Sequence, residues 1–350
     1  MDLASTSSPE TVKTHLDDRD DSDTFERTPE GLGFMDASKS VLELSWELFP
    51  PGHSSLSPSI APRRRRGTVR SEAVKPIQVQ VNLQQDLGLL KASKGDTGSV
   101  LWRSSYYLAH NILRQHHFAP SSSSLPLINA ATLAKTRILE LGSGTGLLAI
   151  VLQNLCGQFT ASDRWENLKL IKRNLELNKV KARDLDEGGQ RSPTSLKSTR
   201  KPSLARHTSH DRHKFQDDSN GGSQAKHDQI LLEEIDWLAI SQERKSDQKS
   251  SSQAQARPMP AYDLILCVDC IFNEHLAQPL VDTLVKYCPK GGQTIVWVIV
   301  ELRSSDVLSK FLETWFNDPS GPWTIVRLSH ASMGDWNGRR PRWVGWVGWR

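Results

Sequence analysis

Apolar and polar positions along this chain of 350 residues form short blocks with two different periods. Residues 77–83 (IQVQVNL) alternate strictly, and this pattern predicts a strand with one exposed face. Residues 104–113 and 165–180 place apolar side chains at helical spacing. Residues 262–268 (YDLILCV) are almost continuously apolar, as expected for a strand that is buried on both faces. The blocks therefore predict helices that alternate with buried strands.

The same patterns recur along the rest of the chain. Residues 41–49 suit either a short strand or a helix, which Pro50 and Pro51 end. The other blocks predict helices after residue 146, at 276–287 and at 307–316, and strands at 138–141, 158–162, 229–237, 294–302, 323–328 and 342–349. This order indicates an α/β fold, in which a mostly parallel sheet carries helices on both faces, with a terminal antiparallel hairpin and a small N-terminal β extension.

Polar, low-complexity segments divide the chain into a tail and a domain. Residues 1–75 predict a mostly disordered N-terminal tail, which includes the basic run 63–66. That run suits a nuclear import signal or an RNA contact, but a solvated linker is the preferred interpretation. Residues 76–350 predict one domain, with disordered insertions at about 181–226 and 241–257.

Composition adds only limits to this picture. The formal net charge of +4 is too small to indicate a nucleic-acid partner. The N-terminus lacks a basic start followed by an apolar core, and no apolar run approaches the ~18 residues of a membrane span. Neither a secreted nor a membrane protein is expected.

Cysteine and histidine spacing predicts no metal site. All four cysteines lie in apolar segments, which is typical of reduced core thiols in an intracellular protein: Cys156, Cys267, Cys270 and Cys288. The Cys267-x-x-Cys270 spacing suits a redox pair, but no second CxxC accompanies it, so buried thiols are preferred. Three histidines within 207–213 recur at intervals of three without further ligands, and we interpret them as solvated side chains.

The clearest chemical signal lies between residues 137 and 163. An apolar run breaks into glycines at alternate positions, Gly142, Gly144 and Gly146, before an apolar helix. Glycine permits positive φ and close approach of a ligand, and the helix start offers unpaired N–H groups. Asp163 ends the next predicted strand about twenty residues beyond the loop, where a carboxylate can accept hydrogen bonds from both hydroxyls of a ribose.

The glycine spacing distinguishes between nucleotide sites. Glu140 precedes a GxGxG motif that includes Ser143, whereas a dinucleotide fingerprint needs GxGxxG and a P-loop needs a following Gly-Lys-Ser/Thr. The motif resembles the S-adenosylmethionine site of the seven-strand methyltransferases, although a simple βα turn would also account for it taken alone. Asp236 and Trp237 end another predicted strand, where the acid suits the exocyclic amine of an adenine and the indole suits its face.

Residues at the carboxyl ends of the predicted strands should meet at one edge of the sheet, where α/β folds bind ligands. Together they carry a family resemblance. The motifs from about residue 78 to 349 resemble the family 16 group of lysine-specific protein methyltransferases. The matching motifs are Thr97-Gly98 with Leu101-Trp102, Glu140 to Leu147, Thr160 to Asp163, Ile235 to Trp237, Asp263 to Leu266, Asp269 to Phe272, and Glu301 to Arg303.

This resemblance implies a seven-strand, Rossmann-like fold, S-adenosylmethionine as cofactor, and a lysine of a protein substrate, either a large-subunit ribosomal protein or another translation-related protein. The motifs and the resemblance together predict these cofactor-binding residues: Trp102, Glu140, Gly142, Ser143, Gly144, Asp163, Asp236, Trp237 and Val268.

Asp269 and Phe272 are expected to form the lysine entrance, where the carboxylate attracts the ammonium and the ring contacts its stem or charge. Many relatives carry Tyr in place of Phe272, so a hydrogen bond from this position is lost while its packing remains. Neutralising lysine at pH 7 costs roughly 4 to 5 kcal/mol. Positioning, worth about 7 to 11 kcal/mol, can outweigh that cost without a strong base. Glu301 and Arg303 suit equally an ion pair that braces the sheet and a substrate-facing role.

Two other functions stay open. One is a methyltransferase for a small molecule or nucleic acid, which the sequence Asp269 to Phe272 disfavours because it replaces an Asn/Asp-Pro-Pro-Tyr motif. The other is a non-catalytic binding module of the same fold, which the intact glycine loop disfavours. We expect a cytoplasmic monomer, with the nucleus as a second location, and neither a membrane nor direct nucleic-acid partner.

Overall fold

A computed structural model describes residues 33–50, 75–88, 97–118, 126–185, 229–247, 261–333 and 343–350. All of them belong to one compact unit, Gly33–Arg350. The strands of these residues are β1 (Val41–Leu48), β2 (Ile77–Gln84), β3 (Arg137–Leu141), β4 (Gln158–Asp163), β5 (Lys181–Asp184), β6 (Gln229–Glu234), β7 (Leu264–Val268), β8 (Ile295–Glu301), β9 (Thr324–Arg327) and β10 (Trp343–Trp349). The helices are α1 (Arg103–His117), α2 (Ala130–Leu133), α3 (Leu147–Leu152), α4 (Trp165–Leu177), α5 (Trp237–Asp247), α6 (Ala277–Tyr287), α7 (Ser305–Phe316) and α8 (His330–Met333).

Eight strands form the main sheet in the order β5-β6-β4-β3-β7-β8-β10-β9. The six strands from β5 to β8 in this order are parallel, and β10 is antiparallel to both β8 and β9. Without the edge strand β5, seven strands remain, and they end in an antiparallel hairpin. The predicted fold class, a seven-strand Rossmann-like sheet of the methyltransferase type, is confirmed.

Apolar side chains of the parallel strands divide between the two faces of the sheet with the period of two that a pleated strand imposes. In β7, Leu264 and Leu266 enter one buried cluster, whereas Ile265 and Cys267 enter the other. The first cluster also contains buried residues of α1, α3 and α4, and the second contains those of α5, α6 and α7. Helices therefore cover both faces, as the continuous apolar run predicts.

The N-terminal part of the compact unit begins earlier than predicted. Strands β1 and β2 pair along their whole length as a separate antiparallel sheet. Strand β1 buries every second side chain in the main core: Leu42, Leu44, Trp46 and Leu48. The predicted domain boundary between residues 75 and 76 is therefore wrong for residues 33–50, because the alternation in β1 supplies an apolar face that packs on the domain.

Two predicted insertions are shorter than expected. Lys181–Asp184 form the edge strand β5, which pairs with β6 through backbone groups and therefore needs no apolar pattern. Helix α5 continues to Asp247, so its residues 241–247 are helical rather than part of a loop. The basic run 63–66 and the histidines of 207–213 lie outside the described residues.

The structure also places the cysteines and the C-terminal tryptophans. All four cysteines are buried and free, so the interpretation as core thiols is confirmed. Trp343 is buried at 1% exposure and Trp349 lies 41% exposed, while Trp346 takes the opposite face of β10. Among the described residues, no helix has the length and hydropathy to cross a bilayer.

Candidate active site

A cavity of about 300 Å³ opens at the carboxyl ends of β3, β4, β6 and β7. This volume lies at the lower end of the roughly 300 to 1,000 Å³ typical of small-molecule sites. All eleven residues that the sequence predicts for the site line the cavity: Trp102, Glu140, Gly142, Ser143, Gly144, Asp163, Asp236, Trp237, Val268, Asp269 and Phe272. The structure thus brings the predicted cofactor residues and the predicted lysine-entrance residues into one space.

The glycine loop between β3 and α3 needs its glycines for two reasons. It takes positive φ at all three of them: +71° at Gly142, +55° at Gly144 and +78° at Gly146. A Cβ atom at Gly144 would also lie 3.1 Å from the carbonyl oxygen of Gly98, and one at Gly142 would lie 3.4 Å from Cζ2 of Trp237. The predicted positive φ is confirmed, and the loop backbone forms part of the cavity wall.

Hydrogen bonds connect this loop to the end of β4. The backbone N–H of Ser143 donates to Ser162 O at 2.9 Å, and that of Gly144 donates to Asp163 Oδ2 at 2.8 Å. Asp163 Oδ1 accepts from Asn167 Nδ2 at 2.9 Å and from the next backbone N–H at 2.8 Å. Because a carboxylate has about four acceptor positions, contact with both hydroxyls of a ribose requires one of these donors to move aside.

Two buried acids, Glu140 and Asp163, line the cavity. Burial raises the pKa of Glu140 to about 8 and also raises the pKa of Asp163. Within the described residues, Glu140 Oε2 and Asn167 Oδ1 are buried acceptors without a hydrogen-bond partner. Unpaired buried acceptors are costly, so a cationic ligand that carries N–H or O–H donors would relieve both penalties.

Aromatic rings and a helix cap form the rest of the cofactor side. Trp102 Nε1 donates to Thr97 O at 2.8 Å, which orients the indole beside the cavity. Asp236 caps α5, because its Oδ1 accepts from the backbone N–H groups of Leu238 at 2.8 Å and Ala239 at 3.2 Å. The cap occupies one carboxylate oxygen, and the contact of Asp236 with an adenine amine stays a prediction.

Asp269 lines the cavity and is paired within the chain. It takes a φ of +60° after β7, and its side chain is only 1% exposed. Both oxygens pair with the guanidinium of Arg303, at 2.8 and 2.5 Å, and Oδ2 also accepts from Ser104 Oγ at 2.9 Å. That this carboxylate attracts a lysine ammonium stays a prediction, and within the chain its charge is compensated by Arg303. Arg303 also contacts Glu301 at 3.1 Å, as the ion-pair alternative predicts.

Sequence reasoning missed two partners of the site. Asn167 lies one helical turn after Asp163, a spacing that places an α4 side chain over the strand end. Ser104 lies at the start of α1, far from Asp269 in sequence, and no local pattern indicates that contact. Thr97 and Gly98 also line the cavity, and they belong to the motif Thr97-Gly98 with Leu101-Trp102 that the sequence already indicated.

The strand order and the position of the cavity define the class of fold, that of the S-adenosylmethionine-dependent methyltransferases. A family profile described as lysine methyltransferase matches residues 81–196, about a third of the chain. This match confirms the resemblance to the family 16 lysine methyltransferases that the motifs predict.

Relatives of this chain carry two kinds of name. The ribosomal lysine N-methyltransferase 5 of Eremothecium gossypii is 25% identical over 67% of this chain and 71% of its own length. A protein of Schizosaccharomyces pombe named diaminohydroxyphosphoribosylamino-pyrimidine deaminase is 29% identical over 68% of this chain. The chain spans only 42% of the length of that relative.

Among solved structures, a putative SAM-dependent methyltransferase from Streptococcus mutans is 10% identical, with a TM-score of 0.37, over 77% of this chain and 53% of its own. At this distance, the fold assignment depends on the strand order itself.

The cavity fits S-adenosylmethionine, the methyl donor used by this class. The donor is a cation with an amino-acid part, a ribose and an adenine. Glu140 and Asn167 offer unpaired acceptors, and the glycine loop leaves its backbone open to contact. Trp237 lies beside the loop, where its indole can cover a flat ring.

Proposed function

We propose that this protein is an S-adenosylmethionine-dependent lysine N-methyltransferase that acts on a protein of the translation machinery, foremost a large-subunit ribosomal protein. The observation that carries the proposal is the shared cavity, in which the residues of both the donor and the acceptor side meet. The lysine methyltransferase profile and the names of the fungal relatives support the choice of acceptor.

The reaction needs a neutral amine and an aligned donor. When bound, S-adenosylmethionine supplies an electrophilic methyl group on a sulfonium: the lysine nitrogen lone pair forms the new N–C bond while the S–C bond electrons remain on sulfur. The lysine first loses its proton to solvent, at a cost of roughly 4 to 5 kcal/mol at pH 7.

The chain contributes mainly positioning. Glu140, Asp163, Trp102 and the glycine loop border the space for the donor, and Phe272 borders the space for the acceptor. Orientation of this kind is worth about 7 to 11 kcal/mol, which exceeds the deprotonation cost. A strong dedicated base is therefore unnecessary.

The name of the fission yeast relative raises deamination as another activity. Deaminases of nucleobases use a zinc ion held by His and Cys ligands. Within the described part of the chain, no group of three or more His, Cys, Asp or Glu side chains could hold a metal ion. The glycine loop and the strand-end acid that line the cavity favour methyl transfer.

The test is incubation of the purified protein with methyl-labelled S-adenosylmethionine and ribosomes from cells that lack the endogenous enzyme. We expect one labelled ribosomal protein, with methyl-lysine after acid hydrolysis. Asp163→Ala serves as the inactive control because it removes a donor-side acceptor, and Arg137→Gln serves as the matched active control because Arg137 pairs with Asp263 at the opposite strand ends.

Three other outcomes would contradict the proposal. Labelled RNA would favour a nucleic-acid methyltransferase, and a labelled small molecule would favour a small-molecule methyltransferase. Donor binding by calorimetry without any labelled product would favour a binding module.

We further propose that the protein is a cytoplasmic monomer with a nuclear fraction. Light scattering tests the oligomeric state, and a fluorescent fusion tests the location.

A further inference from the structure

Behind the cavity wall at Asp269 lies a cluster of charged side chains with Arg303 at its centre. Arg303 donates through Nη1 to Asp269 Oδ1 at 2.8 Å and through Nη2 to Asp269 Oδ2 at 2.5 Å. Its Nη2 also contacts Glu301 Oε2 at 3.1 Å, and Arg103 Nη2 donates to Glu301 Oε1 at 2.9 Å. Two acids and two bases therefore balance each other at the carboxyl ends of β7 and β8.

The guanidinium of Arg303 is also held against the donor side. It lies 4.4 Å from the ring centroid of Trp102, a cation–π distance. The ring centroids of Trp102 and Phe34 in turn lie 4.5 Å apart. Gly33 has a φ of +104°, and a Cβ atom there would lie 2.3 Å from Arg303 Nη2. Arg303 thus joins an aromatic wall of the donor site to the acid of the acceptor entrance without lining the cavity itself.

The charge state of this entrance matters for the acceptor. An uncompensated carboxylate within about 4 to 6 Å of an amine favours its ammonium form by about 1 to 3 pKa units, and the ammonium form has no lone pair to attack with. Among the described residues, the other charged groups paired within this cluster are Arg103 from α1 and Glu301 from β8. The titratable groups that face Asp269 across the cavity are Glu140, Asp163, Arg164, Asp236 and Cys270.

We propose that Arg303 is a positioning residue for methyl transfer. By neutralising Asp269 and stacking on Trp102, it keeps the entrance free of uncompensated negative charge, so that the lysine ammonium releases its proton to solvent before the N–C bond forms. The inference rests on the proposed function and assigns to Arg303 a role that acts through Asp269 and Trp102.

Opposite shifts of the pH profile test this role. Arg303→Gln leaves Asp269 uncompensated, so the profile of kcat should move to higher pH by about one unit or more, while KM for the protein substrate does not rise. Below the optimum, one unit corresponds to a roughly tenfold loss of kcat. Asp269→Asn removes one of the two acids that contact Arg303 and leaves the cluster with one excess positive charge, so its profile should move to lower pH and KM should rise.

Further variants separate charge from structure. The double variant Asp269→Asn with Arg303→Gln should return the pH profile close to that of the unchanged protein. Arg303→Lys keeps the charge and should keep the profile, at a lower kcat because the paired contact is lost. Gly33→Ala displaces Arg303 without removing its charge and should give a smaller shift toward higher pH. Arg137→Gln is the control and should change nothing.

The inference is wrong if Arg303→Gln lowers kcat with an unchanged pH profile, or if it and Asp269→Asn shift the profile in the same direction. If Arg303→Gln does not fold, which circular dichroism reports, Gly33→Ala carries the test, and an unshifted profile in that variant contradicts the inference. The unchanged protein runs in the same assay: its failure to methylate any lysine contradicts the proposed function, whereas its success with an unshifted Arg303→Gln contradicts this inference alone.

Discussion

Two partly exposed arginines make nearly the same contacts in two regions of this molecule. Arg303 pairs with Asp269 at the cavity, with side-chain exposures of 23% and 1%. Arg244 pairs with Asp318 between α5 and the chain after α7, with exposures of 18% and 1%, and it also contacts Asp282. Only the first cluster borders the cavity. Similar ion pairs therefore lie beside the cavity in one region and between packed helices in the other, and the comparison separates a contribution to the reaction from one to stability.

The largest contrast should come from removing the acid in each region. Asp269→Ala and Asp318→Ala should each lower the free energy of unfolding by about 1 to 3 kcal/mol, because a partly exposed arginine loses one acidic partner and keeps the other, Glu301 or Asp282. Only Asp269→Ala should also lower the methylation rate, by about 100-fold or more, because the entrance loses its geometry. Initial rates, with calorimetry showing retained donor binding, check this. Equal activity losses in both variants would remove the distinction.

Arg244→Met should be almost purely a stability variant. It leaves Asp282 and Asp318 uncompensated, so we expect a loss of about 3 to 5 kcal/mol in urea unfolding. The folded fraction should keep the kcat of the unchanged protein at low temperature. A reduced kcat at full folding would show that the region around α5 reaches the cavity.

The cavity region should lose stability as pH rises. The folded pKa of Glu140, raised by burial to about 8, exceeds its unfolded value of about 4.3. Between about pH 4.3 and pH 8, the folded protein therefore holds a proton that the unfolded chain has released. The contribution of Glu140 to stability is complete below about pH 4.3, and it falls by up to about 1.4 kcal/mol per pH unit as the pH rises toward 8. Glu140→Gln should flatten this slope in urea titrations between these pH values; an unchanged slope would exclude Glu140 as its source.

The helix-packing region should respond to pH with the opposite sign. Burial alone would raise the pKa of Asp318, but hydrogen bonds from Arg244 and Ser320 lower it below its ordinary value. Its stability contribution is therefore present above the unfolded pKa of about 3.9 and lost as pH falls through the folded value. Arg244→Met should reduce the acid sensitivity of unfolding below about pH 4, and equal acid sensitivity would contradict this assignment.

The smallest effect is expected from Phe272→Tyr, which adds the hydroxyl that many relatives carry. Phe272 is half-buried at the cavity, so the ring should keep its packing, and the rate should change by less than the tenfold that about 1.4 kcal/mol represents. A larger gain would show that the missing hydroxyl limits the reaction. Phe272→Ala is the matched comparison for the ring itself.

Much of the cavity could be predicted because its residues end apolar strands, and parallel strands place their ends at one edge. The glycine loop, Asp163, Trp237 and Asp269 are all of this kind. The ion pair of Asp269 could not be predicted, because its partner Arg303 reaches back from beyond β8. Strand β5 escaped prediction for a different reason, since backbone pairing at a sheet edge leaves no apolar signature in the sequence.

The parallel pairing of β5 with β6 constrains how this protein can be shortened. Asp184 at the end of β5 lies beside Leu232, whereas Gln229 at the start of β6 lies beside Lys181. A connection between the two strands must therefore travel back along the length of an edge strand, about 10 Å at 3.3 Å per residue. An engineered deletion within 186–228 needs to keep a connection of about a dozen residues, because a link between parallel neighbours has to leave the sheet and cross over one face. A tighter turn would pull β5 from the sheet.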